Sequence, residues 1–322
     1  MGSTRYRLES RPPPSLLSLI VPCYNEAEVL PMLRSQMSGW LGECGVDWEV
    51  VLINDGSSDE TLDHLVEWAE VENRIKVLHL ARNFGHQTAV TAGLDAARGD
   101  AIVIIDADLQ DPLDAIHQML ERYREGYDVV YGQRLSREGE SRGKRWSAWL
   151  FYRFMRLFVH SDLPPDVGDF RLVSKRFAHA LLRMRETHRF LRGMIAWAGY
   201  PQCAVRYHRS ARAAGQTKYP LRRMLSLALT ASLSFSPAPI RAVLAIGFAL
   251  WFLGVGYGLL AVGRVILGLY VVPGWTSLMV VLCLIGGGVL ISLGIVGEYV
   301  ARIFEEVKDR PLYLVSDQYN LD

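Results

Sequence analysis

The most constraining feature of the sequence is an apolar run, 101–105, that ends in two carboxylates, Asp106 and Asp108. An apolar run of this length, rich in β-branched residues, predicts a buried strand of a parallel sheet. One residue separates the two aspartates, so in extended backbone their side chains leave the same face. Asp111 and Pro112 then predict the start of a helix, with the aspartate as N-cap and the proline in the first turn.

The acidic pair Asp106 and Asp108 has two interpretations. Open α/β sheets bind ligands at the carboxyl ends of their strands, and paired carboxylates there suit a hard divalent cation that also takes phosphate oxygens. A bare Asp-x-Asp is more often an acidic turn that only caps a helix. The strand before the pair and the Asp–Pro step after it favour the metal and phosphate site.

Short apolar runs alternate with helical segments of about 10–15 residues through the first half of the chain, which predicts βαβ units and an α/β fold with a mainly parallel sheet. The predicted strands are 16–21, 49–53, 75–80, 101–105 and 128–131, with a last one at 204–209. No G-x-G-x-x-G follows the first strand, which argues against a dinucleotide site of the dehydrogenase type.

Polar residues follow the first two predicted strands at the same edge of the sheet. Tyr24 can pack against a nucleobase, Glu26 can hold a ribose hydroxyl, and Asp55 can accept a hydrogen bond from a base. Each of these residues by itself is equally consistent with a simple turn. Together with the acidic pair they predict a pocket for a nucleoside diphosphate.

A basic segment, 134–145, follows the fifth predicted strand, and its five cations face only two glutamates. We interpret it as a loop at the rim of the site that holds an anionic ligand. A solvated run of charges is the alternative. The 35 basic and 34 acidic residues of the whole chain give no overall charge that would attract nucleic acid.

The C-terminal third predicts membrane attachment. Residues 215–240 predict an amphipathic interfacial helix with a basic face. No charged residue occurs in 242–263 or 265–297, and each stretch can supply the ~20 apolar residues of a bilayer span. Basic residues flank the outer ends, whereas the connection carries only Arg264, so the positive-inside rule predicts that both termini are cytoplasmic. A hairpin buried inside a soluble protein is the alternative.

The chain is therefore predicted to have five parts. These are a flexible tail (1–15), a catalytic domain (16–214), an amphipathic interfacial helix (215–240), a two-helix transmembrane hairpin (241–301) and a cytoplasmic tail (302–322). A membrane hairpin beside a nucleotide pocket predicts a lipid co-substrate, and the basic segment predicts that this lipid is anionic. Glycines in both spans permit close helix contact, which leaves a homo-oligomer open.

Six motifs occur in order along the chain, and their combination is specific. They are 21–26 (VPCYNE), 54–57 (NDGS), 82–87 (RNFGHQ), 106–112 (DADLQDP), 168–172 (GDFRL) and 217–220 (TKYP). Together they resemble the inverting family 2 glycosyltransferases that load sugars onto polyprenyl phosphates, such as dolichol-phosphate mannose synthase and the bacterial undecaprenyl-phosphate glucosyltransferases. The resemblance covers about residues 16 to 310. One departure is Asn54, where many members carry aspartate.

The resemblance implies a GT-A fold, a nucleotide-sugar donor, and Mg²⁺ or Mn²⁺ on the donor diphosphate. It implies catalytic roles for Asp108, Asp169 and Arg171, although Asp169 could instead only orient Arg171. Asp106 and Asp108 are the implied metal ligands. The implied nucleotide-sugar residues are Pro22, Tyr24, Glu26, Asp55, Asp106, Gln110 and Lys218, and the implied acceptor-phosphate residues are Arg134 and Arg145.

The implied reaction transfers a sugar to polyprenyl phosphate, of the undecaprenyl type, at the cytoplasmic face of the cell membrane. UDP-glucose is the favoured donor, and UDP-aminoarabinose-type donors, UDP-GlcNAc, UDP-galactose and GDP-mannose stay open. A processive polysaccharide synthase fits less well, because Arg142 replaces the glutamine of its Gln-x-x-Arg-Trp segment and too few spans remain. A membrane scaffold with an inactive transferase fold is disfavoured by the intact Asp106 and Asp108.

Overall fold

The computed structural model describes residues 8–135, 167–208, 238–268 and 274–321. Its strands are β1 (Leu16–Cys23), β2 (Asp47–Asn54), β3 (Ile75–Leu80), β4 (Ala101–Ile104), β5 (Val129–Arg134), β6 (Val167–Ser174), β7 (Gln202–Tyr207) and β8 (Val315–Tyr319). Its helices are α1 (Leu30–Glu43), α2 (Thr61–Val71), α3 (His86–Ala96), α4 (Ala115–Arg124), α5 (Lys175–Leu182), α6 (Leu191–Trp197), α7 (Ala238–Ile266) and α8 (Trp275–Val307).

The strands form one sheet of eight in the order β7-β5-β6-β4-β1-β2-β3-β8. Within the described residues, β6 and β8 run antiparallel to their neighbours and the other strands run parallel to one another. The α/β class and the mainly parallel sheet are therefore confirmed. β1 lies between β4 and β2, so the carboxyl ends of these three strands meet at one edge.

The sheet is covered by helices on both faces because its central strands carry mostly apolar side chains. Leu19 of β1 belongs to a buried cluster that includes residues of α1, α2 and α4. The next residue, Ile20, belongs to a second cluster that includes residues of α3, α5 and α6. Successive side chains of a strand point to opposite faces, so the two clusters lie on the two sides of the sheet.

The start of α4 differs from the prediction. The helix begins at Ala115, and the carboxylate at its N-cap, Asp114, makes no capping hydrogen bond. Asp111 is not the N-cap that the sequence predicted, because its side chain is buried and accepts a hydrogen bond from the hydroxyl of Tyr207. A turn, in which the carbonyl of Pro112 accepts from the Ala115 amide, separates Asp111 from the helix.

Both predicted tails contribute to the folded domain. The predicted cytoplasmic tail contains β8, which pairs with β3, and Asn320 donates to the carbonyl oxygens of Ala69 and Ile75 at 2.7 and 2.9 Å. At the other end, Arg11 donates to the carbonyl oxygen of Gly126 at 2.7 Å. Arg11, in the predicted flexible tail, therefore contacts the folded domain.

Two long helices, α7 and α8, occur in the region of the predicted hairpin. A side-chain carbon added at Gly288 would lie 3.5 Å from Cδ1 of Leu250, so the helices approach each other closely there. Among the described residues, one segment, Ile285–Val307, is long and apolar enough to cross a membrane. Residues 215–237 of the predicted interfacial helix lie outside the described residues.

Candidate active site

The loops that follow β1, β2 and β3 are joined by hydrogen bonds at the carboxyl edge of the sheet. Oδ1 of Asn25, which has a φ of +53°, accepts from the Ser58 amide at 2.8 Å. The two carboxylate oxygens of Asp55 accept from the amides of Phe84 and Gly85, at 2.7 and 2.9 Å. The three loops therefore hold one another in place.

Gly56 permits the closest of these approaches. Its φ is +63°, and a side-chain carbon at this position would collide with the backbone of Arg82. A positive φ and a missing Cβ are both properties that only glycine offers without strain. The Asp-Gly step after β2 is therefore required for the loops of β2 and β3 to meet.

The residues predicted to hold the nucleotide lie along this edge. Pro22 is buried at the end of β1, Tyr24 is 40% exposed, and Glu26 is half-buried. Asp55 is buried, and burial raises its pKa against the lowering effect of the amides that it binds. The structure thus gives Asp55 a role in organising the loop after β3, and its contact with a base stays a prediction.

The acidic pair lies at the turn that follows β4, where the sequence predicted it. β4 ends at Ile104, and Leu109 adopts a φ of +55°, which is uncommon for a residue with a branched side chain. The amide of Gln110 donates to Oδ1 of Asp108 at 3.2 Å. The turn therefore orders the Asp108 carboxylate through its own backbone.

His86 brings the acidic turn together with the Gly-Asp-Phe-Arg segment. Its Nε2 lies 3.7 Å from Oδ1 of Asp106 and 3.4 Å from Oδ2 of Asp169. Asp169 is in β6, the antiparallel strand beside β4, and the insertion of this strand brings it to the edge. Two carboxylates predicted for the site are therefore neighbours, with an imidazole between them.

The carboxylate of Asp169 is held by Arg192 from the first turn of α6. Arg192 Nε and Nη2 donate to its two oxygens at 2.9 and 3.0 Å. Arg171 is farther away, with Nη2 3.7 Å from Oδ1 of Asp169, and it is only 3% exposed. Its guanidinium donates to the carbonyl oxygens of Gly168 and Asp169 at 2.7 and 3.2 Å, and its catalytic role stays a prediction.

These charges determine one another's protonation. Burial would raise the pKa of Asp169, but the charge of Arg192 and the neighbouring imidazole of His86 hold it well below its usual range. Burial would lower the pKa of His86, but Asp169 and Asp106 raise it to about 9. The loss of solvent raises the pKa of Asp106 to about 6, although the charge of His86 opposes that rise.

The oxygen ligands at the turn fit a hard divalent cation whose remaining coordination positions are filled by the substrate. Asp106 and Asp108 offer carboxylate oxygens, which are the ligands that Mg²⁺ and Mn²⁺ prefer. Within the described ranges, no group of three or more His, Cys, Asp or Glu side chains is placed to hold a metal. A cation here would therefore need oxygens from phosphate groups or water to complete its coordination.

Of the predicted acceptor residues, Arg134 is within the described ranges, at the end of β5. A side-chain carbon added at Gly168 would lie 2.8 Å from Nη2 of Arg134, so the guanidinium covers the residue next to Asp169. Arg145 and Lys218 lie outside the described residues, as does 136–145 of the predicted basic segment.

Sequence reasoning did not assign roles to His86 and Arg192. His86 was within a quoted motif, and its place directly after Gly85, at the start of α3, was the available signal. Arg192 is 23 residues from Asp169 and had no motif of its own. The structure adds both residues to the candidate site.

The fold and the site agree with the comparison to known families. The model of glycosyl transferase family 2 matches residues 18–182, which contain the edge loops, the acidic turn and Asp169. The chain belongs to glycosyl transferase family 2, and it is a glycosyltransferase.

Relatives match nearly the whole chain, well beyond the residues that the family model matches. The uncharacterized glycosyltransferase YkcC of Bacillus subtilis is 40% identical over 95% of this chain and 94% of its own length. The prophage bactoprenol glucosyl transferase homolog of Escherichia coli is 35% identical over 93% of this chain and 98% of its own. A solved mannosyl-3-phosphoglycerate synthase from Rubrobacter xylanophilus aligns with a TM-score of 0.46 and 14% identity, over 67% of this chain and 71% of that one.

Proposed function

We propose that this protein transfers a sugar, with inversion, from a nucleotide-sugar to polyprenyl phosphate at the cytoplasmic face of the cell membrane. UDP-glucose is the proposed donor and undecaprenyl phosphate the proposed acceptor. The observation that carries the proposal is that an acidic turn beside Asp169 occurs in one chain with a long apolar helix. Relatives named bactoprenol glucosyl transferases, at 34–35% identity over at least 93% of the chain, support the same lipid class and sugar.

On the donor side, the nucleotide would lie across the loops after β1 and β2. Tyr24 would pack against the base, Glu26 would hold a ribose hydroxyl, and the backbone beside Pro22 and Asp55 would shape the pocket. Asp106 and Asp108, with support from Gln110, would hold Mg²⁺ or Mn²⁺, which when bound supplies positive charge to the leaving diphosphate. Lys218 would add a further positive charge there.

On the acceptor side, Arg134 and Arg145 would hold the lipid phosphate through charge-assisted hydrogen bonds. A phosphate oxygen attacks the anomeric carbon, a new carbon–oxygen bond forms, and the bond to the diphosphate breaks on the opposite face. The phosphate is already anionic at neutral pH, so the reaction needs no strong general base. The main contribution of the protein is to hold two anions in line and to stabilise the departing charge.

Asp169 is ionised and oriented by Arg192, and it lies beside Gly168, which Arg134 covers. We propose that it faces the reacting sugar, where its negative charge favours the positive charge that develops at the anomeric carbon as the leaving group departs. On the other side of the Asp169 carboxylate, His86 lies between Asp169 and Asp106. Asp169 thus stands between the proposed donor and acceptor residues.

The attachment to a membrane rests on α8 and on the contacts that hold it to the domain. Its candidate span, Ile285–Val307, has no buried residues in its most apolar part. Near its end, Glu305 Oε2 lies 2.6 Å from Nε2 of His188, and Glu306 accepts from the Thr187 amide at 3.0 Å. We propose a multi-pass inner or plasma membrane protein whose catalytic domain is cytoplasmic and in which α7 also spans.

The proposal is tested with the full chain, purified in detergent and supplied with undecaprenyl phosphate. A panel of radiolabelled UDP-glucose, other UDP-sugars and GDP-mannose is added with Mg²⁺ or Mn²⁺, and chloroform-soluble label is measured. We expect label in the lipid phase with UDP-glucose. Another labelled donor would correct the sugar, an insoluble polymer would indicate a synthase, and no product from any donor would refute the transfer.

A further inference from the structure

We infer that Tyr207 is a positioning residue that couples the acidic donor turn to the acceptor arginine, Arg134. The inference rests on the proposed function and names a residue for which the sequence indicated no role. Tyr207 is the last residue of β7, and it pairs directly with Arg134 in the parallel register of β5 and β7. Its phenolic hydroxyl donates to Oδ1 of Asp111. Burial and the charge of Asp111 raise the pKa of this hydroxyl, and the nearby positive charge of Arg134 lowers it.

The aromatic ring of Tyr207 is fixed by close packing. The side chain is 5% exposed, and its ring meets the ring of Phe170 edge-on, with centroids 5.5 Å apart. A side-chain carbon at Gly132 would lie 2.6 Å from Cε1 of Tyr207 and 2.8 Å from Cδ1 of Phe170. A glycine on β5 therefore makes room for the two rings.

Asp111 connects that hydroxyl to the donor side. It closes the turn that begins with Asp106 and Asp108, and it is 4% exposed. A carboxylate this deeply buried is costly unless a donor satisfies it, and Tyr207 is such a donor. The bond therefore holds the C-terminal end of the acidic turn against β7.

Arg134 connects the same hydroxyl to the acceptor side. Nε of Arg134 is buried and has no hydrogen-bond partner among the described residues. The register with Tyr207 and the contact over Gly168 place Arg134 between β7 and the residue next to Asp169. Without the phenolic oxygen, the guanidinium would lose a polar neighbour that helps to orient it.

The consequence for the reaction is geometric. Two anions must approach in line, and a misplacement of about 1 Å can cost about 100-fold in rate. Tyr207 links the turn that would hold one anion to the arginine that would hold the other. Loss of its hydroxyl should therefore weaken acceptor binding more than nucleotide binding, because the loops after β1 and β2 would hold the base and ribose independently of the acidic turn.

The test compares Tyr207→Phe with Tyr200→Phe in the full chain. Phenylalanine keeps the packing against Phe170 and removes only the hydroxyl. Tyr200 also packs edge-on against a phenylalanine, Phe177, but on the other face of the sheet. For Tyr207→Phe we expect KM for undecaprenyl phosphate to rise about five- to tenfold, the effect of about 1–1.4 kcal/mol. For the same variant, KM for UDP-glucose should stay within about twofold of the wild-type value and the Tm within a few degrees of it. Tyr200→Phe should leave both KM values unchanged.

A double-mutant cycle separates coupling from a general loss of structure. In an Arg134→Gln background, Tyr207→Phe should add less than about twofold to the acceptor KM, because its effect passes through the arginine. The inference would be overturned if the effects of Tyr207→Phe and Arg134→Gln on the acceptor KM multiply. It would also be overturned if Tyr207→Phe raises both KM values equally or leaves the acceptor KM unchanged.

Failure of the proposed function gives a different pattern from failure of this coupling. If the wild type transfers no sugar from any donor, the proposed transfer fails. Binding of undecaprenyl phosphate in detergent, followed by intrinsic tryptophan fluorescence, then tests the coupling alone. An apparent Kd about fivefold weaker in Tyr207→Phe than in Tyr200→Phe would support it, and equal values would refute it.

Discussion

Arg192 donates two hydrogen bonds to Asp169, from Nε at 2.9 Å and from Nη2 at 3.0 Å, so that both carboxylate oxygens are engaged. A paired arrangement fixes the plane of the carboxylate as well as its charge. The start of α6, which carries Arg192, is itself held by Gln87, whose Oε1 accepts from the Leu191 amide at 2.8 Å. The orientation of Asp169 therefore depends on three separate segments of the chain.

Replacing Arg192 by lysine should lower kcat about 10- to 100-fold, the effect of the 1.5–3 kcal/mol of a charged hydrogen bond. Lysine keeps the positive charge but cannot grip both oxygens. The affinity for UDP-glucose, measured by isothermal titration, should change little. Arg185→Lys is the control, because Arg185 makes a similar paired contact with Asp95 away from the site. Full kcat in folded Arg192→Lys would show that orientation of Asp169 is not required.

Replacing Asp108 by alanine should abolish transfer while membrane insertion and folding stay intact. The carboxylate is half-buried in a turn and is not part of the apolar core. The variant should also lose Mn²⁺ binding measured by electron paramagnetic resonance in the presence of UDP. Asp114→Ala is a matched control, since Asp114 follows the same turn, is exposed and makes no capping hydrogen bond. Retained turnover in the purified Asp108 variant would refute its role as a metal ligand.

The end of α8 is joined to the loop that precedes Arg192. Replacing both Glu305 and Glu306 by glutamine should lower kcat in liposomes about two- to fivefold, because exposed polar contacts contribute only about 0–1 kcal/mol each. Glu298→Gln is the control, because Glu298 pairs with Arg302 within the same helix, at 3.1 Å. Equal rates for the double variant and this control would show that the contact does not assist transfer.

A buried ion pair at the opposite edge of the sheet should make stability depend on pH. Burial would raise the pKa of Glu49, but hydrogen bonds from Lys76, Ser18 and the Arg98 amide lower it below its ordinary value. A lowered pKa stabilises the fold above the unfolded value of 4.5, and this stability is lost as the pH falls through the folded value. Glu49→Gln should therefore be less stable than the wild type by about 2–4 kcal/mol at pH 7.

That difference should shrink as the pH falls below 4.5, which urea unfolding followed by circular dichroism at several pH values will measure. A difference that is constant from pH 7 to pH 3 would contradict the ionised pair. Glu49 lies near the amino end of β2, away from the loops at the carboxyl edge. The folded fraction of Glu49→Gln should therefore keep the wild-type kcat.

The sequence by itself determined the features that depend on local pattern. Alternating apolar and helical segments predicted the layered α/β fold, and the run before Asp106 predicted β4. The carboxyl ends of parallel strands meet at one edge, so Tyr24 and Asp55 could be assigned to the same site as the acidic pair. Burial and backbone geometry leave a periodic signal in the sequence, and that signal was sufficient for these predictions.

The tertiary structure alone decided which distant residues became partners. Asp111 read locally as a helix cap, but it bonds to Tyr207, 96 residues away. Asp169 is gripped by Arg192 because β6 enters the sheet beside β4, and β8 completes an edge that no local pattern indicated. Such pairs depend on strand order, and strand order is set by the packing of the whole chain, which no window of sequence records.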